Sequence, residues 1–97
     1  MKPYCQQRLL VVGPTADLKP FDWPDIPGAT DVELLEQSPT RRSWQFVTEA
    51  PGLQFLRVLS RQWPRLTFFL DYDCEDQRLK GLIRARSGRV RHCRFNY

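Results

Sequence analysis

Residues able to do covalent or acid–base chemistry are few in this chain, and their spacing argues against most of it. There is one histidine, His92, and there are three cysteines, Cys5, Cys74 and Cys93. Nucleophilic catalysis needs a nucleophile within reach of a base that a third group orients. His92 stands among arginines with no acid at a useful spacing, so it reads as a partly buried strand histidine and not as a catalytic base. It neighbours Cys93, and adjacent strand residues point to opposite faces, so a local His/Cys metal pair is not expected. Three cysteines with no paired spacing indicate neither a disulfide framework nor a zinc knuckle. Cys5 fits a small buried hydrophobe at a sheet end, with a reactive thiol as the alternative.

Asp71-x-Asp73-x-Glu75-Asp76 superficially suggests a cation loop. It lacks the turn glycine of a calcium loop, and Leu82 stands where such a loop needs its bidentate Glu. It reads as a solvated hairpin tip, and no catalytic residue, metal or cofactor is expected. The basic C-terminus stands out instead. Residues 77–97 hold seven Lys or Arg and no acid, whereas residues 1–76 hold eight against eleven acids. The formal charge of +4 is therefore a basic tail on a mildly acidic body. With Ser87-Gly88 as a two-residue turn, Arg86 faces Arg89 and Arg84 faces Arg91, like charges that a bound anion would relieve. Phe69, Phe95 and Tyr97 fall on the same face, offering the aromatic platforms that single-strand nucleic-acid binders use. Lys80-Gly81-Leu82 echoes the RNA-recognition signature only faintly, without its stacking aromatics.

The elements that would carry these groups can be read from periodicity. Arg8 to Val12 is a nearly all-apolar strand ended by Gly13-Pro14. Thr15 is the expected N-cap of a short helix over Ala16, Asp17 and Leu18. Five of the eight prolines fall between Pro14 and Pro39, so this helix cannot run far, and Phe21, Trp23 and Ile26 anchor an irregular stretch. A second strand spans about Asp31 to Glu36, and Arg42 to Thr48 alternates with period two. Pro51 opens a helix to about Gln62, with Leu53, Phe55, Leu56, Leu59 and Trp63 on its apolar arc. Leu66 to Asp73 alternates again, and a loop over Cys74 to Gln77 returns the chain as Arg78 to Arg86. Pairing Asp73 with Arg78 sets Asp71 opposite Lys80 and Phe68 opposite Ile83. Arg89 to Phe95 is the final strand. The order is β-α-β-β-α-β plus a hairpin, which predicts one ferredoxin-like α+β domain over 1–97, its antiparallel sheet extended by the C-terminal hairpin.

Two stretches resemble the YubB-like ferredoxin-like domains, small bacterial proteins often found on plasmids and phages. Tyr4-Cys5-Gln6-Gln7-Arg8-Leu9-Leu10-Val11-Val12-Gly13 is similar to the family's opening aromatic-Cys-x-Asn-x-Leu-x-Val-x-Gly, with Gln7 at the Asn position. Leu59-Ser60-Arg61-Gln62-Trp63-Pro64-Arg65-Leu66-Thr67-Phe68 resembles its Leu-Ser-x-x-aromatic-Pro-x-Leu-x-Phe core, and Gly81 stands where a glycine follows in the next strand. The resemblance implies the ferredoxin-like fold, cytoplasmic residence and a mobile-element setting. It implies no activity.

Ninety-seven residues with 41% apolar and 27% charged side chains suit a single globular domain. The longest apolar run is far shorter than the roughly 20 residues of a membrane span, and no secretory signal pattern is present, so cytoplasmic residence is expected. The sequence favours a non-enzymatic binding module with a protein partner or self-association through the hairpin or an edge strand. The alternative is nucleic-acid binding through Arg84, Arg86, Arg89 and Arg91, with Phe69 and Phe95 stacking.

Overall fold

A computed structural model describes residues 4–95. The elements are β1 (Cys5–Val12), α1 (Thr15–Leu18), β2 (Thr30–Gln37), β3 (Arg41–Thr48), α2 (Leu53–Gln62), β4 (Thr67–Cys74), β5 (Leu79–Arg86) and β6 (Arg89–Phe95). The strands form one sheet in the order β2-β3-β1-β4-β5-β6, and every neighbouring pair is antiparallel. The protein is thus α+β, and its C-terminal hairpin extends the sheet beyond β4 as expected. Six strands and a first helix of four residues set it apart from the common four-stranded ferredoxin-like sandwich.

Period-two alternation decides which face is covered. On β1, Cys5, Gln7, Leu9 and Val11 are buried while Gln6 and Arg8 are exposed. Leu9 lies between Trp44 and Leu70, and Leu70 meets Ile83, so the apolar rows of four strands coincide on one face. Over β4 and β5 that face is covered by α2, which buries Leu56, Leu59 and Ser60. Over β3 and β1 the proline-rich segment does the covering. Phe21 is its wedge, with ring centroids 5.1 Å from Trp63, 5.7 Å from Phe68 and 5.9 Å from Trp44. Arg42 fastens this segment by donating to the carbonyls of Phe21 and Lys19.

Several expectations need correction. Thr15 is not the N-cap of α1. Pro14 takes that position with φ −59° and ψ 142°, there is no side-chain cap, and Thr15 is already helical. Helix α2 begins at Leu53, after Gly52, two residues later than Pro51 suggested. The β4–β5 register is also shifted by two residues. Arg78 adopts a left-handed conformation (φ 55°) to close the loop and leaves the ladder, so Asp73 faces Lys80, Asp71 faces Leu82 and Phe68 faces Ala85. A shift of two preserves which face each side chain occupies.

The largest correction concerns the cysteines. Cys5 and Cys74 form a disulfide, and only Cys93 is free among the described residues. The β1–β4 pairing runs through Gln6 opposite Asp73, so the next pair outward is Cys5 and Cys74, with Cα atoms 4.1 Å apart. Adjacent antiparallel strands bring the two together, and no local spacing is required. Both are fully buried.

Two measurements check this frame. Replacing both residues of the disulfide (Cys5→Ser with Cys74→Ser) should lower unfolding stability by about 2–4 kcal/mol in urea titrations, since the bond spans a sequence separation of 69. Gly81→Ala should cost about 1–3 kcal/mol. A Cβ there would come within 2.5 Å of Tyr72 Oη and 2.7 Å of the Cys93 carbonyl oxygen.

Candidate functional site on the open sheet face

Among the described residues no helix covers the face of the sheet away from α2, and the same alternation that builds the core sends the charged residues there. One row across it runs Ser43, Leu10, Phe69, Arg84 and Arg91, and the next runs Gln45, Arg8, Asp71, Leu82 and Cys93. At the β5–β6 turn a cavity of about 560 Å³ is lined by Arg84, Arg86, Ser87, Arg89 and Arg91. Arg84 is directly opposite Arg91, and Arg86 opposite Arg89, as the sequence predicted. No ion pair to any of these four arginines is found among the described residues. The Arg84 guanidinium carbon stands 6.0 Å from the centroid of the Phe69 ring, at the outer limit of a cation–π contact.

The turn that presents this cluster is fixed from the other face. Ser87 and Gly88 both have positive φ, 51° and 80°, the geometry of a tight hairpin turn that matches strand twist. The Gly88 N–H donates to Ser60 Oγ at 2.9 Å, and the Ser87 hydroxyl donates to the Pro64 carbonyl at 3.0 Å. Ser60 Oγ in turn donates to the Arg57 carbonyl. The buried Ser60 thus ties the arginine turn to the end of α2. The φ of 80° is what favours glycine at position 88, since a Cβ there would meet only the exposed, movable side chain of Arg61.

A second cavity of about 500 Å³ lies beside the first, lined by the apolar Phe69, Leu10, Leu35 and Leu82 and by Arg8, Arg41, Glu36 and Asp71. Phe69 borders it while its ring carries Arg84 of the arginine cluster, so the two cavities form one continuous surface. Burial raises the carboxyl pKa of Asp71, and the neighbouring Arg8 and Lys80 charges pull it down by less. Arg8, Leu10, Ser43 and Leu82 were not singled out from the sequence. Their signal was present in the period of β1, β3 and β5, but only the strand order shows that they adjoin Phe69.

The remaining candidates separate. Phe95 lies on the open face, half exposed, but opposite Lys80 at the far end from the arginine turn, and it does not line the cavity. Tyr97 lies outside the described residues. His92 is on the helix face, its Nε2 2.6 Å from Tyr72 Oη, while Cys93 is exposed on the open face, so the two point apart. Among the described residues no group of His, Cys, Asp and Glu is arranged to hold a metal ion. No helix among them is long and apolar enough to cross a membrane. No family model, curated protein or solved structure matches the chain.

The direction of the Asp71 shift sets a pH dependence. An acid with a raised folded-state pKa contributes stability below the ordinary aspartate range, and that contribution is lost as pH rises through the raised value. Asp71→Asn should therefore raise Tm by calorimetry at about pH 7, and the gain should vanish near about pH 3.

Proposed function

We propose that this protein is a non-enzymatic binding module that holds single-stranded nucleic acid on its open sheet face. The observation that carries the reading is the cavity walled by Arg84, Arg86, Arg89 and Arg91 with no acid in its lining. Two like-charge pairs held face to face across a ladder are costly alone and favourable around a polyanion. Guanidinium groups suit phosphate because their planar fork donates two parallel hydrogen bonds. Phe69, flanked by Leu10 and Leu82, supplies a surface on which an unpaired base can stack, which a duplex cannot use. Phosphates on the arginines and a base on Phe69 are compatible with one short strand lying across β4, β5 and β6.

The fold reading that accompanies this proposal is a ferredoxin-like core. Its support is the element order β-α-β-β-α-β and the all-antiparallel run β2-β3-β1-β4, with β5–β6 as an addition. Kinship with the YubB-like domains is part of the same proposal. It is supported by the Leu59-to-Phe68 stretch, in which Ser60 and Pro64 have a structural task as the anchors of the arginine turn. The Cys5–Cys74 disulfide runs against the expected cytoplasmic residence, since such a bond is atypical of a reducing compartment. A protein partner is the second reading, favoured by the free β2 edge with Val32, Leu34 and Leu35 exposed.

Fluorescence anisotropy with a labelled single-stranded oligonucleotide tests the first reading. Four phosphate contacts predict a slope of log affinity against log salt of about −3, from roughly −0.7 per contact. Arg84→Glu with Arg91→Glu should weaken binding at least about tenfold and flatten that slope. Unchanged anisotropy at low salt would end the proposal.

A further inference from the structure

The two free edges of the sheet carry opposite charge. Strand β2 contains Asp31, Glu33 and Glu36 and no base, while β6 contains Arg89, Arg91 and Arg94 and no acid. Both are outermost in the sheet, and their residues are almost wholly exposed. Edge strands are usually guarded by lysine, proline or a covering element, because unpaired N–H and C=O groups invite another strand. Strand β2 has neither residue; its ladder to β3 is interrupted by two register shifts and its charges are all acidic, and it exposes Val32, Leu34 and Leu35. From these observations we infer that β2 of one copy pairs with β6 of a second copy, so that the protein assembles edge to edge with its own kind.

Direction and register both permit it. Strands alternate across all six positions, so β2 and β6 run oppositely. A copy displaced sideways by one sheet width therefore continues the antiparallel alternation, with the helices of both copies on the same side. On its paired side, β2 sets Glu33 opposite Gln45 and Glu36 opposite Ser43, three residues on β2 against two on β3. Carried to the free side, that spacing matches Arg91 and Arg89, which are two apart on the open face. Glu36 then meets Arg89 and Glu33 meets Arg91 on the open face, while Val90 meets the exposed Leu34 on the helix side. Glu36 already has a partner in Arg41 at 3.2 Å, but both side chains are about half exposed, and such surface pairs exchange at little cost. The acids of β2 would also relieve the repulsion between Arg86 and Arg89 and between Arg84 and Arg91. The contact is head to tail, so it propagates into a chain of copies unless its twist closes a ring.

Charge exchange within the chain provides the test. Mass is followed by light scattering and sedimentation against protein concentration at low salt, with circular dichroism confirming the fold of each variant. Wild-type mass should rise with concentration and fall on adding salt. Glu33→Arg with Glu36→Arg, and separately Arg89→Glu with Arg91→Glu, should each raise the dissociation constant at least about tenfold. All four changes in one chain restore opposite edges and should return it to within about threefold of wild type. A wild-type protein that stays monomeric, or a fourfold variant as weak as either pair, overturns the proposal. Glu33→Arg alone, at a residue that lines neither cavity, should weaken assembly yet bind an oligonucleotide no less tightly than wild type, so the assembly and the nucleic-acid reading fail or stand separately.

Discussion

Strand β1 sits at the middle of the sheet with Leu9 and Val11 fully buried on one side, and the rest of the molecule is phased to it. Because side chains alternate with a period of two, the face chosen on β1 is imposed through each antiparallel ladder on every other strand. Trp44 and Phe46 on β3, Phe68 and Leu70 on β4, and Ile83 and Ala85 on β5 all follow it to the covered side. The proline-rich segment and α2 divide the task of covering that side, and among the described residues no third element covers the other. The open face is therefore not an accident of a small protein. It is the necessary complement of a core built from one face only.

The arginine turn shows how such a frame can support a feature that is unfavourable by itself. Two arginine pairs opposed across β5 and β6 each cost a few tenths of a kcal/mol. They are held in place by interactions on the far side of the sheet, the Ser60 and Pro64 contacts to Gly88 and Ser87. Stability is supplied on one face and spent on the other, the usual separation between residues that hold a site and residues that use it.

How far the sequence could be read follows the same logic. The alternation of β3, β4 and β5 was legible because it is a local property of each strand. The faces of Asp71 and Phe69 were therefore assigned correctly even though the β4–β5 register was displaced by two. Position along a strand is a different matter. Phe95 has the right face, but four residues at about 3.3 Å each carry it roughly 13 Å along β6 from Arg91, to the end opposite Lys80. The Cys5–Cys74 bond was invisible for a third reason. It depends on β1 and β4 being neighbours, which is a property of the strand order and not of any spacing in the chain. The arginine pairs, by contrast, were legible because a two-residue turn fixes the register on both sides of it.

The disulfide joins the first strand to the fourth, so the backbone from Cys5 to Cys74 is a closed covalent loop. That loop contains the whole proline-rich segment, α2 and four of the six strands. A single cut by a protease anywhere within it opens a ring without releasing a fragment, and the two pieces stay tethered at the middle of the sheet. The hairpin of β5 and β6 hangs outside the ring, so a cut there severs it from any such tether. The part of the molecule that carries the arginines is thus the part least protected by its own covalent topology.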